Sequence, residues 1–279
     1  MSLSLRDELR VVVCRDHLQW VRFGRKLTLS GIGYQLQEKR IIPFPVASEK
    51  PWESATQCLN FALSDAAKKP TVARVVLSNH YARYAMIPWS PDLGNEAEEI
   101  AYARHGFAQL YGINADDWEI RMTQDGAGVP QLACAVDETM TRTLRQIFHD
   151  AKVKLKSIQP QLMTAYNNCQ ARFQKLDAWF VSFDQGSLCL GLLQQGHWSS
   201  VRCLKVGSDW LMRLPEILDR ESYLSELDVT SSEIFLWAPE YWKEDIPGGE
   251  RWQIHKLQPA IRPSLVSEYD EQFVMAMCG

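Results

Sequence analysis

The sequence predicts an α/β fold of two lobes, with a small α+β domain inserted in the first. Three observations carry this. A β-branched strand, a short polar turn and a second strand open the chain at Val11–Phe23, and the same form returns at Phe180–Leu193. Each copy is followed by further strand and then helix, the alternation of a sheet covered by helices. Between the copies lies a compact stretch with its own strands, helix and hairpin.

The opening strands are Leu9 to Cys14 and Leu18 to Phe23, around Arg15-Asp16-His17. A third is expected at Lys26 to Leu29 or at Gly33 to Leu36. Ile41 to Pro45 reads as extended, because prolines at 43 and 45 turn their neighbours away from helix. Pro51 to Lys68 fits a helix with proline in its first turn and Trp52, Thr56, Leu59 and Leu63 on one face. Ala73 to Leu77 and Tyr84 to Trp89 read as strands around Ser78-Asn79-His80. Asn95 to Tyr111 is helical, facing Ile100, Phe107, Ala108 and Tyr111 inward, with Gly112 as its stop. Trp118 to Thr123 and Gln131 to Val136 form a hairpin, completing a β-β-α-β-β block.

Asp137 is placed to cap the next helix, whose inward residues are Met140, Leu144, Ile147 and Phe148. Val153 to Ile158 is a strand, and a helix runs from Pro160 to about Phe173. The opening pattern then repeats. Ala178 to Phe183, Leu188 to Leu193 and Trp198 to Leu204 are strands, joined by turns at Asp184-Gln185-Gly186-Ser187 and Gln194-Gln195-Gly196. Helix follows over Trp210 to Leu218 and Glu221 to Leu227, then strands at Ile234 to Trp237 and Trp252 to Leu257.

Composition removes several classes of function. The 279 residues carry 30 basic and 34 acidic side chains, a net charge of −4 that offers nucleic acid no basic face. MSLSLRDELR has charges where a signal peptide needs an apolar run, and no stretch approaches the roughly 18 apolar residues of a membrane span. The expectation is a cytosolic chain that reaches a membrane only through a partner. The seven cysteines lack redox or zinc spacing and read as small buried hydrophobes in a reducing compartment. No two of the six histidines have helical metal-site spacing. P-loop, dinucleotide and nucleophile-elbow motifs are absent.

The chemistry sits in the two repeated turns. Glycine lets backbone amides approach a phosphate, and an aspartate beside them can hold a hydrated magnesium ion. Asp184, Gly186 and Ser187 fit that description, as well as that of a plain hairpin. Asp16 offers a carboxylate in the first turn, but Cys14-Arg15-Asp16-His17 has no glycine. The tryptophans of the last third, Trp237, Trp242 and Trp252, read as core or as the lining of a peptide groove.

The FVSFDQGSLCLGLLQQGHW hairpin, the VVLSNHYARYAMIPW strand pair and the order of elements resemble the actin-like PilM and MshI proteins of type IV pilus assembly. They also resemble the cytoplasmic domain of the type II secretion protein GspL. The resemblance covers about residues 8 to 260 and rests on layout. It implies a two-lobed actin-like ATPase (ribonuclease H-like) fold. The first lobe takes 1–69 and 138–176, a small inserted subdomain 70–137, the second lobe 177–262 and a C-terminal segment 263–279. It implies a nucleotide site at Asp16, Asp184, Gly186 and Ser187, with ATP and Mg2+ as its ligands. The first turn departs from the family's DxG pattern, and Gly248-Gly249 and Ala238-Pro239 match its adenosine-binding segment only weakly. The expected function is therefore a cytoplasmic scaffold with a degenerate site, little or no ATPase activity and no catalytic residue or metal. It grips the tail of a single-pass inner-membrane protein of the PilN kind, with self-association beside it. A genuine ATP-binding protein whose nucleotide state controls assembly is the alternative. A sugar- or acetate-kinase relative needs a catalytic carboxylate and acceptor pocket that the sequence does not display.

Overall fold

The computed structural model describes residues 7–28, 31–46, 50–66, 71–225, 231–261, 265 and 270–278. Leu29, Lys68 and Leu227, placed at element ends by the sequence, lie outside them. The chain divides into two compact units, residues 1–82, 136–168 and 259–279, and residues 83–135 and 169–258.

The first unit is built on a five-stranded sheet. It contains β1 (Asp7–Val13), β2 (His17–Thr28), β3 (Gly31–Pro43), β4 (Thr71–Leu77) and β8 (Lys154–Pro160), in the order β3-β2-β1-β4-β8. β1, β2 and β3 form an antiparallel meander, while β4 lies parallel to both β1 and β8. The two alternatives for the third strand are thus parts of longer strands, because β3 runs on through Ile41. β4, grouped by the sequence with the inserted block, is instead a central strand here. Its TVARVVL run is buried everywhere but Arg74, which is how a parallel strand covered on both faces reads.

Helices cover this sheet. α1 (Pro51–Ala66) packs beside α3 (Glu138–Asp150), and α4 (Gln161–Cys169) follows β8. α3 buries Met140, Leu144, Ile147 and Phe148, the face set by its i, i+4, i+7 pattern. Its cap is Asp137, whose Oδ1 accepts from the Met140 amide at 3.0 Å while Oδ2 accepts from the Trp52 indole at 3.2 Å. Asp137→Ala removes both acceptors, and urea denaturation is expected to show a loss of about 1–2 kcal/mol.

The second unit repeats the sheet. β9 (Ala178–Asp184), β10 (Ser187–Gln194), β11 (His197–Lys205), β12 (Glu233–Trp237) and β13 (Gln253–Lys256) lie in the order β11-β10-β9-β12-β13. Again three antiparallel strands are followed by two parallel ones. One helix, α5 (Trp210–Leu224), spans the stretch read as two, with Pro215 inside it. Its buried Trp210, Leu214, Ile217 and Leu218 pack with Trp179, Val181, Leu190 and Leu236.

This unit also holds a three-stranded sheet, β5 (Ala82–Ile87), β7 (Gln131–Asp137) and β6 (Trp118–Met122), in the order β5-β7-β6. α2 (Glu96–Tyr111) covers it through Ala103 and Phe107. The Asn95 side chain caps α2, and Gly112 ends it with φ 91°. Tyr111, expected inward, is half exposed and stacks on Phe107.

The outer strands of the two five-stranded sheets are protected against pairing with other chains. The register skips one residue on each of three edge strands, at Gln37 on β3, Lys156 on β8 and Ser199 on β11. Such bulges twist an edge away from a flat template. The fourth edge, β13, has only 4 residues.

Candidate functional site

In each large sheet the meander's first strand also borders the parallel pair, so its hairpin turn lies at the carboxyl ends of the parallel strands. That is where ligand sites of α/β sheets form.

In the first unit the turn is Cys14 to His17. The Cys14 amide donates to the His17 carbonyl at 3.0 Å, and the Asp16 carbonyl accepts from the Phe44 amide at 2.9 Å. The Asp16 carboxylate lies 2.6 Å from His17 Nδ1, and its side chain is 57% exposed. None of these four residues has a positive φ, so no left-handed turn gathers amides toward a common point.

Beside that turn the structure places a buried polar group that the sequence reading took for a plain turn. Ser78 and Asn79, at the end of β4, are both buried. The Ser78 amide donates to the Val13 carbonyl at 2.9 Å, and the Tyr81 hydroxyl to the Cys14 carbonyl at 3.0 Å. Asn79 Oδ1 accepts from the Leu162 amide at 3.1 Å, so the first turn of α4 is capped from another element. Together they tie the ends of β1 and β4 to the start of α4. The signal available was Ser-Asn directly after a Val-Val-Leu run.

In the second unit Asp184, Gly186 and Ser187 share one turn. Asp184 pairs with Ser187, and between them Gln185 and Gly186 have φ 43° and 81°, a two-residue turn with both residues left-handed. Gly186 is required there by its backbone, not by crowding. A side chain would be strained at that φ, although a Cβ would meet the Val206 carbonyl only at an ordinary contact of 3.4 Å. The Gly186 carbonyl accepts from the Val206 amide at 2.9 Å, so the loop after β11 closes against the turn. Asp184 and Ser187 are buried, while Gln185 is half-buried.

Next to this turn, at the carboxyl end of β9, the core shared with α5 ends in a cluster of rings. Phe183 stacks on Trp210 at 4.5 Å and 8° between planes. Tyr241 stands edge-on to both, at 5.2 Å and 5.3 Å. Ala238, leaving β12, is buried in the same cluster, and Pro239 opens a short 3-10 turn that carries Tyr241. Gly248, the other adenosine candidate, serves its loop. The Trp252 amide donates to its carbonyl at 3.1 Å, and a Cβ would fall 2.1 Å from the Trp252 carbonyl oxygen. Trp237 and Trp252 are buried in the core, and Trp242 is half-buried.

Among the described residues no three His, Cys, Asp or Glu side chains are grouped to hold a metal ion. Among them, too, no helix is long and apolar enough to cross a membrane. The structure departs from the expectation for cysteine at one place. Cys189 and Cys203, opposite each other on β10 and β11, are joined by a disulfide.

No family model matches this chain, and no curated protein matches it. Solved structures do. The chain is similar to a chain of the PilM-PilN type IV pilus biogenesis complex at 14% identity, over 96% of both chains, with a TM-score of 0.63. It is similar to the cytoplasmic domain of EpsL, an inner-membrane component of the type II secretion system of Vibrio cholerae, at 8% identity. That match covers 96% of this chain and 94% of the other, with a TM-score of 0.58. A Bacteroides thetaiotaomicron protein with an actin-like ATPase fold and unknown function matches at 9% identity over 84% and 82%, with a TM-score of 0.53. At such identities the likeness is one of fold. The chain has the actin-like ATPase fold, and the resemblance to PilM and to the cytoplasmic part of a type II secretion protein holds at that level.

Proposed function

We propose that this actin-like chain is an assembly scaffold of a type IV pilus or type II secretion-like platform, holding the cytoplasmic tail of a single-pass inner-membrane partner of the PilN kind. It works in the cytoplasm, beside the membrane through that partner. The nucleotide site is degenerate. The observation that carries the scaffold over the ATPase is the carboxyl end of the second sheet, where Phe183, Trp210 and Tyr241 pack on one another beside the turn of Asp184, Gly186 and Ser187. A ligand seated there has to displace a stack worth about 1 kcal/mol per ring pair beyond its buried area. The first turn, without glycine, supports the same reading. The likeness to a chain solved within a PilM-PilN complex supports the partner class.

A second reading, a nucleotide-binding protein, is favoured by the left-handed Gln185-Gly186 turn between Asp184 and Ser187. One experiment separates the two. The chain is co-expressed with the cytoplasmic tail of a PilN-type protein, and the purified product is titrated calorimetrically with ATP and Mg2+. Co-purification without nucleotide heat is the expected result, and Asp184→Ala should leave co-purification unchanged. Micromolar ATP binding that governs tail capture would establish the nucleotide reading, and failure to capture any such tail would remove the scaffold.

A further inference from the structure

Cys189 and Cys203 sit in a line of residues that crosses four strands. Trp237 of β12 lies opposite Ser182 of β9, Ser182 opposite Cys189 of β10, and Cys189 opposite Cys203 of β11. Burial falls abruptly along it. Trp237, Ser182 and Cys189 are buried, whereas Cys203, on the outer strand, is exposed. The Ser182 hydroxyl is buried with no hydrogen-bond partner among the described residues, although a buried hydroxyl ordinarily has one. Its neighbour on β10 is half of the disulfide, a sulfur with no proton to give. Directly opposed side chains on antiparallel strands stand about 4.5–5.5 Å apart at Cβ, so rotation of either side chain brings hydroxyl and thiol within hydrogen-bond reach.

We propose that Cys189 and Cys203 form a reversible dithiol–disulfide site for glutathione-type thiols, with the Ser182 hydroxyl placed to hydrogen-bond the Cys189 sulfur once the bond opens. A glutathione thiolate attacks the exposed Cys203 sulfur, and the S–S bond breaks toward Cys189. The leaving Cys189 thiolate takes a proton beside Ser182. A second glutathione attacks the mixed disulfide, releasing the Cys203 thiol and glutathione disulfide. Two electrons and two protons move from two glutathiones to the protein. The reverse sequence, with glutathione disulfide as oxidant, closes the bond.

The strand ladder does not depend on the bond alone, because β10 and β11 also pair through their backbones from Ser187–Lys205 to Gln194–His197. Two of the free thiols compete little. Burial pushes Cys134 and Cys169 up to about 12, so neither supplies thiolate at neutral pH. The bond ties β11 to β10 just beyond Ser187, while the Val206 amide holds the Gly186 carbonyl, so its state sets how firmly the exit from that turn is held.

The test is a redox titration of the full chain. Protein is equilibrated at varied ratios of glutathione to glutathione disulfide, without denaturant, and free thiols are trapped with a maleimide that adds mass. Native protein is expected to pass reversibly between forms differing by two labels, at Cys189 and Cys203. In Ser182→Ala the equilibrium constant for reduction should fall about threefold to tenfold, the worth of one hydrogen bond. In Cys203→Ser the transition should vanish. A bond that opens only when the protein is unfolded overturns the proposal, as does a pair that never closes in glutathione disulfide. Coincident curves for wild type and Ser182→Ala overturn the role given to the hydroxyl, whether or not the pair itself is reversible.

Discussion

Arg10→Ala is expected to destabilise the first unit by about 3 kcal/mol, the low end of what breaking a buried ion pair costs. Arg10 lies on β1, inside the sheet, with its side chain 5% exposed. Its Nε is 2.8 Å from Glu8 Oε1, and the Glu8 side chain is 2% exposed. The guanidinium also donates to the carbonyls of Ala276 and Cys278, at 3.3 Å and 2.8 Å, and lies 5.1 Å from the Phe23 ring centre. Alanine therefore does three things at once. It weakens the neutralisation of a buried carboxylate, removes a donor from two carbonyls and unpins the short helix α6 (Val274–Met277), all of whose residues are buried. The effect stays at the low end because Arg25 and Arg74 remain near Glu8, at 3.0 Å and 3.5 Å. Urea denaturation measures the loss, and limited proteolysis should cut first near the C-terminus. Lys39→Ala is the control. Lys39 pairs with Asp270 at 2.7 Å, but both side chains are about a third exposed, so its loss should stay below about 1 kcal/mol. Equal midpoint shifts for the two variants would sink the claim that the C-terminal segment is held from inside the sheet.

How much of this was legible in the sequence depends on the range of the interaction that decides each feature. The second meander was legible because Gln185-Gly186 and Gln195-Gly196 set two-residue turns locally. Helix ends were legible where Asn95, Gly112 and Asp137 supply capping chemistry of their own. The disulfide was not. Continuing the register of Gln194–His197 along the hairpin sets Cys189 opposite Arg202. Only the extra residue at Ser199 moves Cys203 into place, and a bulge has no signature in so short a stretch. β4 was misgrouped because a strand's sheet is chosen by partners far away in sequence, here β1 and β8. The buried Ser78 and Asn79 escaped for the same reason, since the amide that Asn79 caps belongs to Leu162. Of the proposed site, Asp184, Gly186 and Ser187 were legible only as members of one turn. The rings that fill the neighbouring space come from β9, α5 and the turn after β12, which no local pattern joins.

Trp210→Ala should cost the second unit about 3–5 kcal/mol, the range for removing a large aromatic side chain from a core. Trp210 is the first residue of α5 and is buried. Phe183 lies on one side of its ring and Tyr241 against it at right angles, so the neighbours are themselves large, flat and fixed by two strands and a proline turn. Such a wall collapses poorly into a void, which puts the expected loss high in that range. Tyr223 on the same helix is 88% exposed, and Tyr223→Ala should move stability by less than about 0.5 kcal/mol. The pair thereby separates packing at the carboxyl end of the sheet from any general weakening of α5. Urea midpoints at constant slope give both numbers. The same variant bears on function. If the rings stand where a base would otherwise bind, removing the central one opens room beside Asp184, Gly186 and Ser187 without touching the turn. A variant that stays folded and acquires ATP binding would mean that the aromatic stack alone closed a competent site. One that stays folded and still ignores ATP would show that the stack alone is not what keeps nucleotide from the turn of Asp184, Gly186 and Ser187.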